Sequence, residues 1–375
     1  QVHFFVKKNG STAIPTAKTS STYVRHDSDH TESSGHLHIL LPSLSTNDYV
    51  EVYAKAFDTS ANTLSLGTTS LFLEKVASSR TIFSGTAVRT VSSTNLNEVN
   101  PSALQWTQEI ADSGFTHSNT SNSHNITLDA AGAYLVFANL PIKSNTGRAS
   151  PQMQIKLNGT QVTGGFASQG YIRTAEATNK SSIHWVGLIQ SASTNQVLTI
   201  EMSKRGEAGT VDVQTNEKGS IFIEKLANTN NLFSATATQL ISGDNWNNSS
   251  DVKWSTQETI DTGKFTHSTS SNPNQIAVDS DGDYLLLYND GLTSTVARAN
   301  PKMQVQVNGN PVPGAEVSTH YIRADSGHNY SSGALATVLN GLKANDIISV
   351  GASIESTSGT VNDHVPARIT LLKKP

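Results

Sequence analysis

The sequence repeats itself at an offset of 150 residues, and this repeat limits the possible folds more than any other feature. Phe115-Thr116-His117-Ser118 returns as Phe265-Thr266-His267-Ser268, and Tyr171-Ile172-Arg173 returns as Tyr321-Ile322-Arg323, in the same register. Solenoid repeats are only about 20–50 residues long, so a copy of this length is expected to enclose its own hydrophobic core. The chain is therefore predicted to consist of tandem domains.

The repeat also gives the domain boundaries, which fall near residues 76 and 226. We predict complete modules at 77–226 and 227–375, and we interpret residues 1–76 as the second half of a module. Three matches support this interpretation: Asn9-Gly10 with Asn158-Gly159, Tyr23-Val24-Arg25 with Tyr171-Ile172-Arg173, and Leu73-Glu74-Lys75-Val76 with Ile223-Glu224-Lys225-Leu226. A half-sandwich exposes apolar faces and unpaired strand edges. Strands from elsewhere, including another chain, are therefore expected to complete it.

The residue pattern within each copy predicts β-structure. Charged residues make up only 15% of the chain, and abundant Ser, Thr, Asn and Gly suit strands joined by many turns. Met153, Ile155 and Leu157 alternate with polar residues, and the Asn158-Gly159 pair that follows is typical of a tight hairpin. No segment shows apolar residues at helical spacing over three turns. The fold class is predicted to be all-β, without a substantial helix.

The order of motifs within a module resembles that of a known family. Asp129-Ala130-Ala131-Gly132-Ala133-Tyr134 is followed by Arg148, by the Pro151 strand that ends in Asn-Gly, by Tyr171-Ile172-Arg173, and by Gly209-Thr210-Val211. This order is similar to that of the complement-globular-head and tumour-necrosis-factor-like jelly rolls. The resemblance implies a two-sheet jelly-roll sandwich for each module, a tendency to form trimers, and roles in recognition or scaffolding.

Composition and missing motifs exclude several functions. The formal net charge is −4 and the pI about 6.3, so the chain lacks the basic surface that binding to nucleic acid requires. It has no cysteine, which excludes disulfides and thiolate metal sites. No apolar run approaches the roughly 18 residues of a membrane span, and the common hydrolase, metalloprotease and nucleotide-binding motifs are missing. We predict a non-catalytic protein that neither binds nucleic acid nor inserts into membranes.

One cluster of carboxylates is a candidate metal site. Asp279, Asp281 and Asp283 surround a glycine turn, and their oxygen ligands could bind calcium. Ala131 and Ala133 replace the last two in the sister module, so any calcium site belongs to the C-terminal module alone. A solvated turn is the alternative interpretation.

Two sets of residues are candidates for ligand binding, with carbohydrate as the ligand. Arg25, Arg173 and Arg323 each follow a tyrosine at two residues, which places both side chains on one face of a strand. They serve either a structural ion pair, a contact between modules, or recognition of a ligand. Trp185 and Trp246 have no tryptophan counterpart in the other copies and could stack on sugar, or could instead fill the core or an interface.

These observations together favour an extracellular or cell-surface protein with a structural or adhesive role. Its modules are predicted to self-assemble into a homo-oligomer or polymer, such as a fibre, matrix or surface appendage. A secreted lectin-like recognition module is the first alternative, with binding loops at one end of each sandwich. A component of a viral or phage fibre or shell is the second alternative, because jelly rolls are common there.

Overall fold

The computed structural model describes residues 2–11, 18–24, 32–56, 65–88, 101–145, 149–168, 172, 179–206, 211–213, 218–237, 250–295, 299–319, 322–323, 329–354 and 361–375. These residues form β-strands, turns and extended segments, and none of them is helical. The all-β prediction is therefore confirmed. Within the same ranges, no helix is long and apolar enough to cross a membrane.

The first strands form a small antiparallel sheet, which with the segments up to residue 76 we call the N-terminal unit. Its order is β2-β1-β3, from β1 (Val2–Lys8), β2 (Thr19–Thr22) and β3 (Val50–Ala56). The strand β1 forms although Lys8 departs from the apolar alternation. Asn9 (φ 52°) and Gly10 (φ 66°) end it in a turn whose positive φ angles suit these two residues.

The next strands build two six-stranded sheets, which we call the middle sandwich. The strands are β4 (Thr81–Val88), β5 (Ser102–Ala103), β6 (Gln105–Ala111), β7 (Phe115–Thr116), β8 (Ile126–Leu128), β9 (Gly132–Ser144), β10 (Ala149–Leu157), β11 (Thr160–Ser168), β12 (Lys180–Ser191), β13 (Gln196–Gly206), β14 (Val211–Val213) and β15 (Ser220–Lys225). One sheet has the strand order β12-β9-β15-β4-β6, with β14 also paired with β9. The other has the order β11-β10-β13-β8-β7, with β5 also paired with β13.

The last strands repeat this topology in the C-terminal sandwich. The strands are β16 (Leu232–Ala237), β17 (Ser250–Asp251), β18 (Thr256–Ile260), β19 (Phe265–His267), β20 (Ile276–Val278), β21 (Gly282–Ser294), β22 (Pro301–Val307), β23 (Asn310–Ser318), β24 (Tyr330–Ser331), β25 (Ala334–Leu342), β26 (Ile347–Ile354) and β27 (Val361–Lys373). One sheet has the strand order β18-β16-β27-β21-β24, with β25 also paired with β21. The other has the order β19-β20-β26-β22-β23, with β17 also paired with β26.

Each sandwich encloses its own core, and a third apolar cluster joins the two. Trp106 and Trp254 lie at matching places in the two cores and are both fully buried. Alternation along β9 sends Tyr134 into the core of the middle sandwich, while the neighbouring Leu135 points outward. Leu135 there meets Leu285 and other outward residues of the C-terminal sandwich. The central strands β9 and β21 are therefore apolar on both faces.

Candidate assembly site

The N-terminal unit packs on the middle sandwich through β2. Ser21 donates its backbone N–H to the Oγ of Ser182 at 2.8 Å, and the buried Nζ of Lys18 lies 2.8 Å from Oε2 of Glu109. Partial burial works to raise the pKa of Glu109, but the hydrogen bond from Lys18, with others from Thr86 and Ser84, outweighs it and holds that pKa below its usual value. The carboxylate thus stays charged and fixes β2 in place.

The middle sandwich packs on the C-terminal sandwich through β11, the counterpart of β2. Ser168 donates its N–H to Oγ of Ser332 at 2.9 Å, and that hydroxyl donates back to the carbonyl of Ser168. Arg368 is buried and forms a bidentate pair with Glu258, while its Nη2 also donates to the carbonyl of Thr163 at 2.7 Å. The same face of each unit therefore contacts the next unit along the chain.

The C-terminal sandwich returns to the N-terminal unit through β23, the third counterpart of β2. Ser318 donates its N–H to Oγ of Ser34 at 2.9 Å, and Ser34 donates its own N–H to the carbonyl of Ser318. Lys302 pairs with Glu32 at 3.1 Å. Each of the three units thus contacts both others, and the three heterologous contacts close into a ring within one chain.

A buried asparagine supports two of these three contacts. Nδ2 of Asn139 in β9 donates to the carbonyl of Thr19 in β2 at 3.1 Å. Its counterpart Asn289 in β21 donates to the carbonyls of Gly164 and Phe166 in β11, each at 3.2 Å. These amides satisfy backbone carbonyls where one unit's edge meets the next unit's sheet.

Replacing Asn289 with alanine is expected to destabilise the contact between the two sandwiches by about 2 kcal/mol, because the carbonyl of Phe166 loses its side-chain donor and that of Gly164 keeps only Trp185. Hydrogen exchange of β11 measures the effect and should become faster than in the unmodified chain. Replacing exposed Asn310 with alanine is the control and should leave β11 unchanged. Unchanged exchange in both variants would contradict the role assigned to Asn289.

The described residues of the N-terminal unit form one sheet, whereas each sandwich has two. Its strands β1, β2 and β3 correspond to β10, β11 and β13 of one middle sheet. Residues 33–41 and 71–76 correspond to β12 and β15 of the other sheet, yet both segments lie outside the assigned strands. In the middle sandwich β12 and β15 pair with opposite edges of β9. Among the described residues of the N-terminal unit, no strand takes the place of β9.

Exposure confirms that the unit is uncovered on one side. Leu71 is 60% exposed and Leu73 59%, whereas their counterparts Ile221 and Ile223 are fully buried. The large apolar side chains that are exposed in the described part of the chain all come from this unit: Leu44, Tyr49, Val52, Leu66, Leu71, Phe72 and Leu73. This concentration of exposed apolar side chains marks an interaction surface.

A cavity of about 2440 Å³ lies beside these side chains. Val2, Phe4 and Val6 line it from β1, while Leu135 and Phe137 line it from β9. Leu285, Leu335 and Gly314 of the C-terminal sandwich complete the wall. The cavity thus occupies the place of the second sheet of the N-terminal unit and faces both sandwiches. We call it the acceptor cavity.

Histidines line the contact between residues 33–41 and the middle sandwich. The ring of His36 lies 5.7 Å from that of His184, and the ring of His38 lies 5.5 Å from that of Phe137, measured between centroids. Burial lowers the pKa of His38 to about 4, so this ring is neutral at physiological pH. At His38 the wall of the cavity is therefore aromatic and uncharged.

The carboxylates predicted as a calcium site each bind a different protein donor. Thr266 donates to Asp279, Lys343 and the N–H of Ala344 to Asp281, and the N–H of Gly341 to Asp283. The three side chains therefore do not converge on one point. No group of three or more acidic or histidine side chains in the described ranges is arranged to hold a metal ion.

The structure describes two of the predicted sugar-binding residues, Trp185 and Arg323. Trp185 is fully buried in the middle sandwich, where its Nε1 donates to the carbonyl of Gly164 at 2.9 Å, so it offers no surface to a sugar ring. Arg323 is half-buried beyond β23. Trp246, Arg25 and Arg173 lie outside the described residues.

Sequence reasoning missed the residues that close the ring. Glu109 and Glu258 stand 149 positions apart, and Asn139 and Asn289 stand 150 apart, so the repeat itself marks them. Their partners Lys18 and Arg368 occupy unrelated places in the repeat and carry no such mark. The two equivalent glutamates were the signal in the sequence, because each of them pairs with a buried cation, Lys18 or Arg368.

Comparison with known proteins gives matches in structure only. No protein-family model and no curated protein matches the sequence. A crystal structure of murine APRIL matches at 11% identity and a TM-score of 0.28, covering 39% of this chain and 99% of that one. The structure of Eiger TNF from S. frugiperda matches at 15% identity and a TM-score of 0.28, covering 40% of this chain and 94% of that one. The two-sheet sandwiches described above agree with the jelly-roll fold that the order of motifs implies.

Proposed function

We propose that this chain is a non-catalytic structural protein that assembles through its N-terminal unit into an extracellular fibre, matrix or surface appendage. The proposal rests on one observation. Among the described residues, every large apolar side chain that is exposed belongs to this one unit. Such a surface in water favours association with another polypeptide. Two closed sandwiches beside it would act as the rigid body of each subunit.

Strand complementation is the mode of association that the geometry supports best. Within the described residues β3 pairs with β1 alone, and its other edge corresponds to the edge of β13 that pairs with β5 and β8 in the middle sandwich. Backbone groups of an unpaired edge form hydrogen bonds with any added strand, while the apolar side chains select which strand is added. The proposal therefore places the joint between subunits at the N-terminal unit.

The test is negative-stain electron microscopy and sedimentation velocity of the whole chain across a dilution series. We expect filaments or oligomers that grow with concentration and that disappear in a double variant, Leu71→Asp with Leu73→Asp. Thr160→Asp, at an exposed position of the middle sandwich, is the matched control and should assemble normally. A chain that stays monomeric and folded at every concentration would contradict the proposal.

A further inference from the structure

We propose that the contact between the N-terminal unit and the middle sandwich is an acid-sensitive joint, which opens when three histidines at that contact take up protons. The three are His36 and His38 of the N-terminal unit and His184 in β12 of the middle sandwich. The inference concerns contacts within one chain, so it holds whether or not the chain assembles with other chains.

Two of these histidines lie where all three units meet. Residues 33–41 correspond to β12, which makes His36 and His184 counterparts, and their ring centroids are 5.7 Å apart. A small cavity of about 10 Å³ adjoins both rings. One serine from each unit also lines it: Ser34, Ser182 and Ser332. The two imidazoles therefore lie at the centre of the ring that the units form.

His184 is buried within the contact itself. It is only 6% exposed, and its Nε2 lies 3.2 Å from the Oγ of Ser20 in β2, the strand through which the N-terminal unit packs on the middle sandwich. Its Nδ1 is also buried. A proton on this ring would therefore place a charge between two units, in a space from which water is excluded.

His38 lies two residues further along the N-terminal segment and contacts another part of the middle sandwich. Its ring centroid is 5.5 Å from that of Phe137 in β9, and its carbonyl accepts the hydroxyl of Ser220 in β15 at 3.2 Å. Within the described ranges, its Nδ1 is buried without a hydrogen-bond partner. Burial lowers the pKa of His38 to about 4, so the closed contact disfavours its charged form.

The charged groups around the histidines are bound to other partners. His36 and His184 are the titratable residues in the wall of the small cavity. At β2, His3 contacts the hydroxyl of Ser21, and Lys18 pairs with Glu109. The acceptor cavity, whose wall includes His38, is lined by further charged residues: Glu32, Asp48, Lys55, Glu74, Lys75, Arg80, Asp112, Glu224, Glu316 and Lys374. Each carboxylate among them binds a cation or a backbone N–H.

The equivalent contact between the two sandwiches has alanines where the joint has histidines. Ala334 and Ala336 stand at these places in β25 of the C-terminal sandwich. One histidine of that sandwich, His364, does lie at the contact, but it is exposed, and its ring packs 4.6 Å from that of Phe166. An exposed imidazolium beside an aromatic ring is not penalised by desolvation. Acid should therefore open the joint and leave the contact between the sandwiches closed.

The direction and size of the effect follow from the pKa of His38. The ring stays neutral in the closed joint and is protonated below pH 6.5 in the open one. The ratio of open to closed joint should therefore rise roughly 30-fold between pH 8 and pH 5 from this one residue. Lys18 holds the pKa of Glu109 below its usual value, so that ion pair persists over the same range. A change between pH 6.5 and pH 5 thus reports on the histidines.

Hydrogen exchange of the whole chain at a series of pH values tests the joint, after correction for the intrinsic pH dependence of exchange. We expect exchange of β2 to become at least about 30-fold faster, relative to intrinsic rates, as the pH falls from 8 to 5. Exchange of β11, the counterpart of β2 at the contact between the sandwiches, should stay the same over this range.

The repeat supplies substitutions that the fold already accommodates. His38→Ala and His184→Ala introduce the residue found at Ala336 and Ala334, and each should reduce the pH dependence of β2 about tenfold or more. His124→Ala, in the turn before β8, is the matched control and should leave the pH dependence unchanged. Where loss of the ring itself opens the joint at pH 8, His38→Gln keeps a neutral side chain of similar reach and should also remove most of the pH dependence.

Three results would overturn the inference. The first is exchange of β2 that does not depend on pH in the unmodified chain. The second is a pH dependence that persists when both His38 and His184 are replaced. The third is equal acceleration of β2 and β11, which would indicate general acid unfolding. Selective opening of β2 that is lost in the double variant would establish the joint.

Discussion

Replacing Arg368 with alanine is expected to lower the free energy of unfolding by about 3–5 kcal/mol, because it breaks a buried ion pair. Arg368 is only 3% exposed, and its guanidinium binds both carboxylate oxygens of Glu258 and the carbonyl of Thr163. Without it, the carboxylate of Glu258 is left partly buried without a cation, and β11 loses one of the side chains that hold it to the C-terminal sandwich. Chemical unfolding and hydrogen exchange of β11 measure the two effects.

The control for Arg368 is an exposed ion pair in the same sandwich. Lys343 and Asp281 lie 3.0 Å apart with side chains 71% and 61% exposed, so Lys343→Ala should cost less than about 1 kcal/mol. Arg368→Lys should recover part of the loss, since a lysine keeps the charge but not the bidentate geometry. Equal, small effects of Arg368→Ala and Lys343→Ala would show that the buried pair does not hold the sandwiches together.

Replacing Asp290 with asparagine is expected to change how the stability of the C-terminal sandwich depends on pH. Burial raises the pKa of this carboxyl from 3.8 to about 7, against the hydrogen bonds from Gly333 and Tyr288, and the nearby Asp363 raises it further. Between those two pH values the unfolded chain loses the proton while the folded chain keeps it. Stability therefore falls as the pH rises from 3.8 to 7, and is constant above that range.

The expected size follows from the shift in pKa. Each pKa unit corresponds to about 1.4 kcal/mol, so the stability of Asp290→Asn relative to the unmodified chain should increase by about 4 kcal/mol between pH 4 and pH 8. Denaturant unfolding at a series of pH values measures this difference. Asp281→Asn, at an exposed carboxylate whose pKa is lowered chiefly by the N–H of Ala344, should show a small change of opposite sign. A pH-independent difference for Asp290→Asn would refute the buried, protonated carboxyl.

Asp290 also shows where the repeat is an imperfect guide to structure. Its counterpart in the middle sandwich is Leu140, which pairs with Ile183 inside the unbroken strand β12. In the C-terminal sandwich the carboxylate of Asp290 accepts the N–H of Gly333 instead, and the strand is divided into β24 and β25. The strand that the repeat predicts to be continuous is thus interrupted where Asp290 and Gly333 replace the pair of Leu140 and Ile183.

Local structure could be predicted because it depends on neighbouring residues. Met153, Ile155 and Leu157 have the alternation of β10, and the Asn158-Gly159 turn has the positive φ angles that its sequence predicts. The face-to-face contacts of the three units could not be predicted in the same way. They depend on single side chains such as Lys18, whose burial is decided by a glutamate 91 positions away. The candidate site depends on those contacts, because its cavity is formed by all three units.

The ring has a consequence for synthesis of the chain on the ribosome. Ser34 and Ser318, which join the first unit to the last, are separated by 284 positions. At a translation rate of about 5–20 residues per second, the first unit emerges roughly 15–60 s before the partner that closes the ring. During this interval its apolar side chains are exposed to chaperones, to neighbouring nascent chains, and to any strand that fits them.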